Sequence, residues 1–248
     1  MTTPAIIIHD LHKTYRGASH SSVNGLMLSV EKGAFFGLLG PNGAGKTTTL
    51  SILCGLRNSD KGTITIQGME LGKNLSRIKP LIGVVPQDIA LYPELTAVEN
   101  LRFAGNIYSL PEKLLNERID YYLQIFGLTM HRRKKTGHLS GGMKRQVNLI
   151  AALLHHPEIL ILDEPTVGVD VQSRQIIIAN LQQLNREGMT IVYTSHDMHE
   201  AEQLCTFVSL MHKGKIVCEG IPSELIRSEN VASLEQLFIA KTDIQAIE

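Results

Sequence analysis

The sequence predicts an α/β fold: a mostly parallel sheet with an inserted helical subdomain and a small antiparallel β part. Three observations predict it. Short β-branched or leucine-rich runs alternate with segments of helical spacing towards both ends of the chain. One such run, Ala34 to Leu39, opens into Gly-Pro-Asn-Gly-Ala-Gly-Lys-Thr at Gly40 to Thr47, a phosphate-binding loop set between a strand and a helix. Between about residues 89 and 156 strand signals give way to helical ones.

The elements follow in order. Ala5 to Ile8 is a β-branched run that reads as an edge or early strand. After the phosphate loop, Thr47 to Leu56 carries apolar residues at helical spacing and stops near Gly55. Thr63 to Gln67 alternates Thr and Ile as a half-buried strand does, and Ile82 to Val85 is a buried strand closed by Pro86. Thr96 and Glu99 make a capping box, so a helix starts there. Leu115, Ile119, Tyr122 and Phe126 share one face of a second helix, which Gly127 ends. A third runs from about Ser140 to His155, stopping before Pro157. Strands then return at Ile159 to Leu162 and Thr190 to Thr194, around a helix from Ser173 to Arg186. Val208 to Met211 and Lys215 to Val217 flank a Lys-Gly turn as a hairpin. This places a nucleotide-binding domain over residues 1–222, its helical insertion at about 89–156, and a short helical tail at 223–248.

Composition narrows the function classes. Lys plus Arg and Asp plus Glu both number 24, a net charge of +0, which leaves no electrostatic footprint for nucleic acid. Hydrophobic residues make up 43%, enough for a packed core, yet no apolar run reaches the roughly 18 residues that a membrane span needs. Met1 to Asp10 lacks the pattern of a secretory signal. Cys54, Cys205 and Cys218 form no metal or redox spacing and read as small hydrophobes of a reduced protein. His131 to Lys135 is a basic run, read as solvated rather than as a lipid contact.

The chemistry starts at the loop. Gly40, Gly43 and Gly45, with Pro41, Asn42 and Ala44 between them, let backbone amides turn inward around phosphate oxygens. Lys46 is expected at the β- and γ-phosphates, the Thr47 hydroxyl at Mg²⁺, and Thr48 at the α-phosphate of ATP. Ile159 to Leu162 delivers Asp163 to a strand's carboxyl end, the ligand side of such sheets, to hold Mg²⁺. Glu164 then stands where it can polarise or deprotonate the attacking water. His196 ends the run Ile191 to Thr194 one strand later and is expected at the γ-phosphate. His155 and His156 are adjacent, so they face different sides of a helix and make a poor metal pair. His196, His199 and Glu200 imitate a metal site, but a phosphate contact explains His196 better. Ser140 caps a helix whose free amides, behind Gly141 and Gly142, form a second anion site.

Taken together, Gly40 to Thr47, Ile159 to Glu164, Leu139-Ser-Gly-Gly-Met143 and His196 resemble the ATP-binding subunits of the ABC transporter family over about Ile6 to Glu219. The resemblance implies a phosphate-loop NTPase fold and a Mg²⁺-dependent ATPase. It puts Tyr15 on the adenine ring, and Gln87 at the γ-phosphate and Mg²⁺ in a loop joining the two lobes. It puts Asp170, in Gly168-Val-Asp170, in a loop that crosses a dimer, and makes His196 the switch histidine. Met143 departs from the Gln that many members carry. The family pattern implies a head-to-tail dimer of two copies, each ATP lying between one phosphate loop and Ser140 and Gly142 of the other copy. It also implies separate membrane-spanning subunits, a position on the cytoplasmic face of the membrane, and no nucleic acid. The segments around Gln87 and Thr166-Val-Gly-Val-Asp170 are similar to exporters of drugs, lipids or polysaccharides. ATPases of translation or DNA repair fit less well, for want of a second ATP-binding unit, heptads or net charge. A signalling subunit that powers a membrane complex without moving substrate stays open.

Overall fold

The computed structural model describes residues 4–242. In chain order its strands are β1 (Ile6–Lys13), β2 (Val23–Val30), β3 (Phe35–Leu39), β4 (Lys61–Ile66), β5 (Met69–Glu70), β6 (Ile82–Val85), β7 (Ile159–Asp163), β8 (Thr190–Ser195), β9 (Phe207–His212) and β10 (Lys215–Gly220). Its helices are α1 (Lys46–Leu53), α2 (Leu71–Ile78), α3 (Ala97–Ile107), α4 (Glu112–Ile125), α5 (Gly141–Leu153), α6 (Val171–Arg186), α7 (Met198–Leu204), α8 (Pro222–Ser228) and α9 (Leu234–Thr242). They divide into two compact units, residues 4–79 with 190–242, and Pro80–Met189.

The first unit holds an antiparallel sheet of order β2-β1-β4-β5. Ile6 and Ile8 of β1 face Val30 and Leu28 on one side and Ile66 and Ile64 on the other, and all six are buried. This every-second-residue pattern seals one face of the sheet. Of the two expected places, edge or early strand, β1 takes the second: it is the first strand of the chain and lies inside the sheet. The strand that covers it, β2, was hidden because Gly25, at φ 70°, interrupts its alternation. Beside it lie β10, β9, β3 and β8 in that order, with β3 parallel to both β8 and β9 and β10 antiparallel to β9. All five β3 residues are buried. Phe35 meets Tyr193 at 6.0 Å and Phe36 stacks on Phe207 at 6.2 Å. Removing a side chain such as Phe35 from water stabilises the unit by about 2–3 kcal/mol. The helix α7 packs on β3, and α9 packs on α7, α8 and β10.

The second unit pairs β6 with β7 in parallel, from Ile82 opposite Ile159 to Val85 opposite Leu162. The centre of its helical part is α5, which packs on α3, α4, α6 and β6. Val147, Leu149, Ile150 and Leu153 around its circumference are all buried, as in a helix enclosed on every side. The capping box of α3 forms: Thr96 Oγ1 accepts from the Glu99 amide at 3.2 Å, while the Thr96 amide donates to Glu99 Oε2 at 2.7 Å. One boundary differs from expectation. The α5 helix stops at Leu153, and His156 takes φ 60°. His155 instead stacks on Tyr108 at 3.7 Å and bonds the Ile82 carbonyl at 3.0 Å through Nε2. Burial pushes its pKa down, which favours a neutral ring.

Candidate active site

In the first unit β3 delivers the phosphate loop. Gly40, at φ 156°, donates its amide to the Ser195 carbonyl at 3.3 Å. A Cβ there would stand 2.2 Å from the Met211 carbonyl oxygen, and at Gly45, at φ 111°, 2.2 Å from the Ser22 oxygen. Both blocking atoms are backbone, so only glycine fits. Pro41, Asn42 and Gly43 form the outer bend, with Ala44 donating to the Pro41 carbonyl at 3.2 Å. Gly45 leads into α1 with no side-chain cap, so the first amides of that helix present their dipole to the loop. Lys46 is buried, and its Nζ donates to the Gly40 carbonyl at 2.6 Å and to Pro41 at 3.2 Å. The ammonium thus lies across the mouth of the loop. Thr47 is exposed and Thr48 half-buried. This shape fits a polyphosphate.

Two more predicted residues belong to this unit. The Tyr15 hydroxyl lies 3.3 Å from Thr48 Oγ1, which brings it to the loop. The Arg57 guanidinium stands 5.4 Å over its ring, a cation–π contact. His196 is exposed and directly follows β8, whose last carbonyl, at Ser195, receives the Gly40 amide.

The second unit carries the carboxylates. Asp163 ends β7 and is 7% exposed; Glu164 follows at 6%. Glu164 holds φ 47°, a left-handed conformation that is strained for a glutamate. Such strain is held only by a firm surrounding. Gln87 Nε2 lies 3.4 Å from Glu164 Oε2, so these two predicted residues meet. A residue that the sequence reading missed holds their loop. Arg145 of α5 donates to the Pro86 carbonyl at 2.8 Å and the Gln87 carbonyl at 2.6 Å. Burial lowers its pKa, opposed by the charges of Asp88 and Asp163. The spacing from Ser140 was a usable signal, because a charge on an all-round buried helix needs a partner.

The Ser-Gly-Gly segment starts α5. Ser140 Oγ accepts from the Met143 amide at 3.2 Å. Gly141 is exposed, with open space where a side chain would stand, whereas Gly142 is buried against the start of α6. There Asp170 caps α6 by accepting from the Ser173 amide at 2.9 Å, and that bond holds its carboxyl below the usual range. Gly142 and Asp170 are therefore neighbours. Of the basic run, Arg132 pairs with Asp120 at 2.9 Å.

Residues 23–167 match the family model described as ABC transporter. The chain belongs to this family. It is 49% identical over 218 residues to the linearmycin resistance ATP-binding protein LnrL of Bacillus subtilis (strain 168), across 88% of this chain and 70% of that protein. It is 39% identical over 228 residues to the Nod factor export ATP-binding protein I of Ralstonia nicotianae, across 92% of this chain and 70% of that one. An ATP-binding cassette solved as a dimer, in a post-hydrolysis state bound to ADP and Pi, superposes with TM-score 0.80 at 26% identity, over 87% of this chain and 98% of that one. The chain is thus an ABC transporter ATP-binding subunit with the α/β fold of the ABC ATPases, and its activity is ATP hydrolysis. Among the described residues, no helix of this ABC subunit is long and apolar enough to cross a membrane, and no three His, Cys, Asp or Glu side chains gather as a metal site.

Proposed function

We propose that two copies of this chain close head to tail over two ATP molecules and drive separate membrane-spanning subunits, in the direction of export. The observation that carries the reading is the start of α5. Ser140 and Gly141 are exposed, with open space over Gly141, so amides at a helix N-terminus are left facing outward for an anion held by another molecule. The dimeric state of the solved cassette and the export role in the Nod factor relative's name support it. In this reading residues 1–222 form the ATP-binding domain, with its helical insertion at about 89–156 and a helical tail from 223. The last six residues of that tail lie outside the described part.

Each residue then has a task. Tyr15 stacks on adenine. The amides of Gly40 to Thr48 and the Lys46 ammonium take the phosphate oxygens, Lys46 exchanging the carbonyls of Gly40 and Pro41 for them. Glu164 accepts a proton from the attacking water. The water oxygen bonds to the γ-phosphorus as the bridge to the β-phosphate breaks, releasing ADP and phosphate. His196 donates to a γ-phosphate oxygen. Gln87 orients the water beside Glu164. Ser140, Gly141 and Gly142 close the site of the opposite copy, and Asp170 lies at the seam between copies. Thr47, Gln87 and Asp163 each offer an oxygen of the kind Mg²⁺ takes and are the residues that would hold the ion, which would neutralise phosphate charge. The membrane partner docks in a groove of about 410 Å³ lined by Ile89, Leu91, Tyr92, Phe103, Ala104 and Ile107. That docking places the chain on the cytoplasmic face of the membrane.

Glu164→Gln replaces the basic carboxylate by a carboxamide of the same shape, so Mg-ATP is expected to trap a dimer in size-exclusion chromatography. Adding Ser140→Arg is expected to return the monomer. A Glu164→Gln protein that stays monomeric at saturating Mg-ATP would refute the paired arrangement.

A further inference from the structure

His196 sits on a short bend that a buried side-chain pair closes. Three residues before it, Tyr193 in β8 is fully buried; four residues after it, Glu200 in α7 is 4% exposed. The Tyr193 hydroxyl donates to Glu200 Oε1. Inside this ring the Asp197 amide donates to Ser195 Oγ at 2.9 Å, and the Glu200 amide to Asp197 Oδ1 at 2.9 Å. The strand end is tied to the phosphate loop through the Gly40 amide on the Ser195 carbonyl. A buried carboxylate is costly to keep. It is not the cap of α7, because Asp197 already fills that place. Nor is it surface charge. Its field reaches Cys205, whose thiol is pushed up by burial first and by Glu200 second.

We propose that the Tyr193–Glu200 pair positions His196 for turnover. The proposal rests on the γ-phosphate role given to His196 above. Tyr193 is fixed in the sheet, with its ring 6.0 Å from Phe35 of the strand that feeds the phosphate loop. Its hydroxyl therefore anchors α7 to the same strands that set the loop. The His196 backbone is thereby pinned between two points. A histidine that must reach one phosphate oxygen gains rate from such restriction, because the geometry is set before ATP arrives. Neither Tyr193 nor Glu200 is given a contact with the nucleotide. Both are positioning residues.

The test is steady-state Mg-ATP hydrolysis by the full chain, with nucleotide affinity measured separately by a fluorescent ATP analogue. Tyr193→Phe keeps the ring against Phe35 and removes the hydroxyl. We expect kcat to fall about 10-fold, the scale of one hydrogen bond to a charged group, with affinity changed less than about 2-fold. Glu200→Gln keeps an acceptor for the hydroxyl, so kcat should stay within about 3-fold of the parent; Glu200→Asp, too short to reach, should behave like Tyr193→Phe. In a His196→Ala background, Tyr193→Phe should cost nothing further, because the two act as one unit. A full additional loss there overturns the proposal, as does a Tyr193→Phe effect that appears in affinity instead of kcat. An unchanged kcat in Tyr193→Phe or Glu200→Asp, with His196→Ala impaired, overturns the positioning role alone. An unimpaired His196→Ala overturns the phosphate role of His196 and this proposal with it. Should Tyr193→Phe not fold, the Glu200→Gln and Glu200→Asp pair decides the matter.

Discussion

Replacing Gly142 by alanine separates two reasons for a glycine at the start of α5. One is access for a phosphate; the other is close packing inside the second unit. A Cβ at Gly142 would stand 2.2 Å from Ser173 Oγ, 2.4 Å from Ser173 Cβ and 2.6 Å from Asp170 Oδ2. Ser173 is buried at the start of α6 and its amide is committed to Asp170, so it has little room to yield. Alanine in a helix is favoured over glycine by up to about 1 kcal/mol. Overpacking at these distances costs about 1–3 kcal/mol. The clash outweighs the propensity, for a net loss of about 1–2 kcal/mol and a midpoint lower by about 2–8 °C for a chain of this size. The assay is thermal unfolding without nucleotide, which removes any part played by ATP or a second copy. The same change in a Ser173→Gly background supplies the control. Two of the three clashing atoms are then gone, and the third belongs to a carboxylate that can swing, so at least half of the penalty should disappear. A Gly142→Ala protein that melts higher than the parent, or an undiminished penalty beside Ser173→Gly, would refute the packing argument.

Three further outcomes are expected. Lys46→Ala deletes the ammonium held on the Gly40 and Pro41 carbonyls. Mg-ATP affinity and hydrolysis should both collapse, and normal turnover would remove the phosphate loop from the mechanism. Tyr15→Ala should weaken ATP binding by about 1–3 kcal/mol, the worth of one base stacked on an aromatic ring, with little change in kcat. Isothermal titration checks this, and unchanged affinity would show that the ring serves only Thr48 and Arg57. Tyr92 is 51% exposed and meets Phe103 edge-on at 5.1 Å. On the proposed docking, Tyr92→Glu should leave folding and basal hydrolysis nearly intact, weaken capture of the proposed membrane partner from detergent and abolish partner-stimulated turnover, and normal capture and stimulation would move the docking surface elsewhere.

The shape of the glycine loop and the place of the strand-end carboxylates were legible because local sequence fixes them. A glycine loop between a buried strand and a helix, or a carboxylate at a strand end, needs no distant partner to be recognised. The capping box at Thr96 was legible for the same reason. What escaped depends on neighbours that only the folded chain brings together. Arg145 looks like one more surface charge in Met-Lys-Arg-Gln, yet it reaches back to the carbonyls of Pro86 and Gln87. Glu200 reads in the sequence only as a partner of His196 and His199 in a metal mimic, until Tyr193 is found against it. The α2 helix escaped for a local reason: Gly72 and Asn74 weaken its pattern, and Asn74 departs from helical geometry at φ −127°. The positive φ of Glu164 has no sequence signal, because no residue in Leu-Asp-Glu-Pro calls for it.

The pairing of β3 has a consequence for how this protein is born. The strand that feeds the phosphate loop is hydrogen-bonded on one side to β8 and on the other to β9. The loop itself rests on the turn beyond: the Gly214 amide donates to the Ala44 carbonyl at 2.9 Å, and the Met211 carbonyl lies where a side chain at position 40 would go. A ribosome that has finished the loop has made none of these supports. At about 5–20 residues per second, the nascent loop waits roughly 10–30 s for its scaffold. Until Gly214 has left the exit tunnel, the chain carries the nucleotide motif without the framework that gives it shape.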